Sequence, residues 1–164
     1  AGQGWQWDGV RFEVLHPTPA DMASAAKPNA VSCVLRVVDA LGRSALLTGD
    51  IEAPQEAALL QRMGAGLAST VLVVPHHGSR TSSTPAFLDA VQPERAIVQA
   101  GYRSRFGHPA PDVLARYAER RIDVVRTDQC GAWLWHDGAG HCTRDVRRRY
   151  WHWVAPVGGA NFAN

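Results

Sequence analysis

Three short apolar runs constrain what this 164-residue chain can fold into. LLTGD (46–50), VLVVPHH (71–77) and AIVQ (96–99) each begin with aliphatic residues and end abruptly in polar ones. Short apolar runs bounded in this way read as buried strands. Helix-length segments lie between and after them. APQEAALLQRM (53–63) carries Pro54 in its first turn and an apolar face of Leu59, Leu60 and Met63, with Gly64 and Gly66 beyond its end. SSTPAFLDAV (82–91) offers Ser83 or Thr84 as N-cap ahead of Pro85, and PDVLARYAERR (111–121) follows the third run. Parallel strands require crossover connections of this kind. The alternation predicts an α/β fold, a sheet with helices packed on it.

The flanks read as β. WQWDGVRFEVLH (5–16) gives short strands about an Asp8-Gly9 turn. A proline-rich loop spans 17–30, and 31–38 and 44–48 pair as a hairpin. Arg95–Ala100 and Ile122–Arg126 are further strands. Residues 131–136 and 141–146 form a closing hairpin around DGAG, with Trp133 and Trp135 on one face as core. One domain occupies 1–150, and 151–164 is read as a frayed tail. If 137–140 is the hairpin loop, Cys142 faces Trp135 and lies away from Cys130. Cys33, Cys130 and Cys142 are therefore expected as free thiols, and no CxxC pair suggests a structural zinc.

A chain that is 46% hydrophobic and 20% charged can bury a core, and no apolar run reaches the ~18 residues that would span a bilayer. The opening AGQGWQWDGV has no signal-peptide pattern and looks like a cut made inside a longer protein. A net charge of +2 names no nucleic-acid partner by itself.

Chemistry gathers at the strand ends. Asp50 follows the first run, His76 and His77 the second, and His108 lies in the loop after the third. Ligand sites in open α/β sheets collect at strand ends. If these strands are parallel neighbours, Asp50, His77 and His108 converge, and Asp with His suits zinc or manganese and an activated water. Gly78 lets backbone approach a ligand. Ser79, Arg80, Thr81, Ser82 and Ser83 add hydroxyls and charge near a helix start, and Arg103 and Arg105 lie nearby, a set suited to a phosphate-bearing substrate. Each residue also has an ordinary reading, as a turn, cap or solvated residue. His16, His136, His141 and His152 share no spacing. Arg147–Arg149 with the Tyr-Trp-His-Trp that follows could clamp a nucleic-acid strand or simply end a domain.

LLTGDIE, VVPHHGSRTSS, FGHPAPDVLARY and VVRTDQCGAW, in that order, resemble the C-terminal metallo-β-lactamase-like domain of the ComEC family, the DNA-uptake channel of natural transformation. The resemblance covers about residues 29–136, with Asn-Ala-Val-Ser at 29–32 as a strand start. It implies the C-terminal half of an αββα sandwich, with Asp50 and His108 as metal ligands. It places His76 and His77 beside the metals as the catalytic candidates, in the role of phosphate contact, proton donor or additional ligand, with His77 the one expected to touch the site; Gly78, Ser79, Arg80 and Ser82 keep their own reading as substrate-phosphate residues. The N-terminal HxHxDH motif is absent from these residues. The resemblance therefore implies a fragment of a metal-dependent nuclease that binds zinc or manganese weakly or not at all and is inactive alone. The implied partners are single-stranded DNA and the rest of an inner-membrane channel. The domain would lie on the extracytoplasmic side, the fragment would be soluble, and an exposed sheet edge would invite dimerisation. The rival readings are a non-catalytic DNA- or partner-binding module and a soluble hydrolase of a small ester.

Overall fold

A computed structural model describes residues 1–24, 27–147 and 149. Among these residues the strands are β1 (Gly4–Trp7), β2 (Val10–His16), β3 (Val34–Val38), β4 (Ser44–Leu47), β5 (Val71–Val73), β6 (Arg95–Val98), β7 (Asp123–Arg126), β8 (Trp133–His136) and β9 (Ala139–Cys142). The α-helices are α1 (Pro19–Ser24), α2 (Ala53–Met63), α3 (Pro85–Val91), α4 (Pro111–Glu119) and the single turns α5 (Thr127–Cys130) and α6 (Thr143–Val146). β1 to β7 form one sheet in sequence order, antiparallel through β4 and parallel from β4 to β7. β8 and β9 are a separate hairpin. The protein is thus the mixed α/β fold that the alternation predicts, and α2 spans the residues read for it.

The core lies on one face of the sheet. Val34, Leu46, Leu72, Ala96 and Val98 pack against Leu59 of α2, Phe87, Leu88 and Val91 of α3, and Val113 and Tyr117 of α4. Side chains alternate along a strand, so Leu35, Val37, Leu47 and Val73 point the other way with Val71 and Ile97; only the last two are buried there. Trp133 and Trp135 border a hollow with Thr70, Val71, Glu94 and Arg95 beside that second face. Their rings stack 6.3 Å apart, and the Arg95 guanidinium lies 5.9 Å from the Trp133 ring. Both are half-buried and outside the main core, in contrast to the sequence expectation. The edge strand β1 carries the exposed Trp5 and Trp7.

The closing hairpin corrects the cysteine expectation. Its turn is the two residues Asp137-Gly138, with His136 opposite Ala139, rather than the four residues 137–140. The shift places Cys142 opposite Trp133, and Cys130 and Cys142 form a disulfide. Cys33 is free and exposed, as expected. Residues 143–146 are helical, not strand, and Pro28–Val31 is a 3₁₀ turn where a strand start was expected. Part of the clamp suggested at Arg147–Trp153, and the whole of 151–164, lie outside the described residues.

Candidate functional site

The carboxyl ends of β4, β5 and β6 point the same way, and their loops meet. Backbone bonds hold them together. His76 N–H donates to the Gly49 carbonyl (3.0 Å), the Thr48 hydroxyl donates to the Val73 carbonyl (2.7 Å), and Ala110 N–H donates to the Gly78 carbonyl (2.9 Å). The loop that follows β5 has an unusual backbone. His76 (φ 49°), His77 (φ 56°) and Gly78 (φ 80°) are successive left-handed residues. For non-glycine residues this costs about 1–2 kcal/mol each, and such strain concentrates at functional sites. Gly78 is buried, and a Cβ there would lie 2.7 Å from Pro109 Cβ. The glycine therefore admits Pro109, not a ligand, and seats the histidine loop against the His108-Pro109 turn.

Asp50, His76, His77 and His108 are brought together. His77 Nε2 lies 3.4 Å from Asp50 Oδ1, and His77 Nδ1 is 2.9 Å from the Gln99 carbonyl. A carbonyl only accepts, so Nδ1 is the donor and Nε2 is turned toward the carboxylate. The His76 and His77 ring centres are 6.4 Å apart, and those of His76 and His108 are 6.0 Å apart. His76 Nδ1 approaches Glu52 Oε1 at 3.3 Å without hydrogen-bond geometry. His108 Nδ1 is buried and has no hydrogen-bond partner. Burial, and then the His76 and His77 rings, lower the pKa of His108, favouring the neutral imidazole.

The phosphate set is placed differently. Ser82 is fully buried and its hydroxyl donates to the Pro75 and Ser79 carbonyls. Ser79 is buried, with its hydroxyl 3.1 Å from that of Thr81. Arg80 is the exposed member, 3.3 Å from Asp112. Beneath this loop is a residue the sequence reading missed. The buried Glu56 carboxylate accepts from Ser83 N–H (2.5 Å) and Thr84 N–H (2.8 Å), and Arg116 donates to the Ser82 and Ser83 carbonyls. Burial pushes the Glu56 carboxyl up, against these hydrogen bonds and the Arg116 charge. Glu52 was missed too, because it precedes α2 and reads as a cap.

Among the described residues, no group of three or more His, Cys, Asp or Glu side chains is arranged to hold a metal ion. The unpartnered nitrogens of His76 and His108 suit a ligand role, yet these residues do not fit a divalent metal on their own. No metal step is assigned to them. Nor is any helix among the described residues long and apolar enough to cross a membrane.

No protein-family model matches the chain. Among curated relatives, Competence protein ComA of Neisseria gonorrhoeae is 44% identical over 140 residues, 85% of this chain and 20% of the relative. ComE operon protein 3 of Bacillus subtilis is 37% identical over 130 residues, 79% of this chain and 16% of the relative. Recombination protein 2 of Haemophilus influenzae is 35% identical over 131 residues, 80% of this chain and 16% of the relative. The chain spans about a fifth or less of the length of the relatives it matches. It belongs to the ComEC family of competence proteins, matching a C-terminal fragment of them.

Proposed function

We propose that this chain is the C-terminal half of a phosphodiesterase-type domain in a DNA-uptake channel, and that its strand-end cluster handles the phosphate of a DNA strand. The observation that carries the reading is the convergence of Asp50, His76, His77 and His108 on three pinned loops. The helices packed on one face, with a second face only partly covered, support half of an αββα sandwich. That second face and the β1 edge are where the rest of a longer polypeptide, or a second copy, would pack. The chain's own residues have separate tasks. The Gln99 carbonyl orients His77 so that its Nε2 faces Asp50, His108 offers a nitrogen without a hydrogen-bond partner, and the exposed Arg80 neutralises phosphate charge. A hydrolytic metal, zinc or manganese, would need donors from outside this chain.

The 130–142 disulfide supports a location in an oxidising compartment, which favours the extracytoplasmic side of a membrane. A second reading is a non-catalytic module that holds DNA or a channel partner. It draws on the lack of a three-donor metal set among the described residues.

The test is cleavage of end-labelled single-stranded DNA by the long polypeptide that contains this chain, with manganese or zinc, beside its Asp50→Ala/His108→Ala version. Cleavage lost in the variant supports the phosphodiesterase. No cleavage, with equal DNA binding by both proteins, overturns it in favour of the binding module.

A further inference from the structure

The loop between β6 and His108 has features that the phosphate site does not use. Residues 101–107 read GYRSRFG and contain no acid. Tyr102 is 51% exposed and Phe106 is 67% exposed. Two large rings so exposed on one seven-residue loop give up apolar burial that a structural loop would take. Each ring has its own cation. The Arg103 guanidinium lies 5.3 Å from the Tyr102 ring centre, and that of Arg105 lies 4.9 Å from the Phe106 ring centre. Ser104 N–H bonds to the Gly101 carbonyl and Gly107 N–H to the Ser104 carbonyl, so two successive turns shape the loop. The Phe106 ring is 6.3 Å from that of His108, with 19° between the planes. A line of rings therefore runs Phe106, His108, His76, His77, from the loop into the cluster.

We propose that loop 101–107 is a stacking platform for unpaired nucleobases, which makes the neighbouring site selective for single-stranded over duplex nucleic acid. The inference rests on the reading of the cluster as a phosphodiester site. Exposed rings stack on base faces, which a duplex hides in its own stack, while Arg103 and Arg105 neutralise the adjoining phosphates. Charge complementarity and ring exposure meet here within a few residues of His108.

The test is fluorescence anisotropy of labelled oligothymidylate, an abasic strand of equal length and a duplex, titrated with this chain and its variants. The expected order for the unaltered chain is oligothymidylate tightest, with the abasic strand and the duplex both weaker; a duplex bound as tightly as oligothymidylate overturns the proposal. Stacking contributes ~1–3 kcal/mol per base, so Phe106→Ala should weaken oligothymidylate binding by roughly 5- to 150-fold. It should leave the abasic strand within about twofold, and Phe106→Trp should keep the affinity. Equal affinity for both strands, or a Phe106→Ala loss that is the same on both, overturns the platform while leaving the phosphate site standing. Binding of neither strand overturns both readings. If Tyr102→Ala/Phe106→Ala binds oligothymidylate normally but loses adsorption to phosphatidylserine vesicles, the loop faces a membrane and the proposal fails.

Discussion

Replacing Gly78 by Ala tests the contact that joins the two histidine loops. An alanine at φ 80° takes on a left-handed backbone, at about 1–2 kcal/mol. Its Cβ would sit 2.7 Å from Pro109 Cβ and 3.1 Å from Pro109 Cα, so one of the loops must move. Overpacking of this kind costs about 1–3 kcal/mol. The stiffer unfolded chain returns about 0.4–1 kcal/mol. Gly78→Ala should therefore destabilise the fold by about 2–4 kcal/mol. Gly107→Ala is the matched control, with φ 65° but nothing within 4 Å of its Cβ. Only the backbone and unfolded-chain effects apply there, for a cost of about 1 kcal/mol. Urea unfolding of the two variants, compared at a common slope, separates strain from contact. Equal midpoints would refute the reasoning, because the packing of Gly78 on Pro109 would then contribute nothing.

Three further outcomes follow from the geometry. The 130–142 disulfide closes a loop with a sequence separation of 12, so Cys130→Ser/Cys142→Ser should lower unfolding free energy by about 3 kcal/mol; a urea midpoint unmoved by reductant would argue that the bridge is absent. His108 has a folded-state pKa below the usual 6.5, so the unfolded chain takes up its proton first as pH falls, and stability from this group is lost below 6.5. His108→Gln should flatten the stability profile below pH 6.5, and an unchanged slope would contradict the assignment. Glu56→Gln leaves one of two backbone N–H groups, the buried Ser83 or the part-buried Thr84, without an acceptor, at a cost of about 1–3 kcal/mol at pH 7; amide hydrogen exchange should speed up first at Ser83 and Thr84.

What the sequence made legible, and what it hid, follows from the range of the forces involved. Strand ends are set by local signals, so LLTGD and VLVVPHH located Asp50, His76 and His77 at the correct ends of β4 and β5. The hairpin register turned on a choice between a two-residue and a four-residue turn. Asp-Gly is the stronger two-residue signal, and reading it so would have moved Cys142 opposite Trp133 and brought the disulfide into view. Glu56 was also within reach. It lies three and four residues before Leu59 and Leu60, on the face that buries, while Met63 at the end of the same stripe is exposed. An acid at such a position needs buried donors, and those come from a loop 27 and 28 residues away, which no local pattern reveals. Ser82 misled for the same reason, because its acceptors in Pro75 and Ser79 exist only once the loop has folded back.

The pinning of the site separates framework from reactive groups. The three loops are joined by Gly49, Thr48, Gly78 and Ala110 through backbone groups or a threonine hydroxyl, and Glu56 and Arg116 hold the next turn from below. None of these bonds uses the imidazole of His76 or His108. His77 does bond the frame, through Nδ1 to the Gln99 carbonyl at 2.9 Å, but both His76 and His77 occupy left-handed backbone, where glycine would relieve about 1–2 kcal/mol at each position. A loop needed only for its shape would be more stable with glycine there. The retained cost and the His76 and His108 nitrogens without a hydrogen bond fit the proposed site, beside which the Phe106 ring lies 6.3 Å from that of His108.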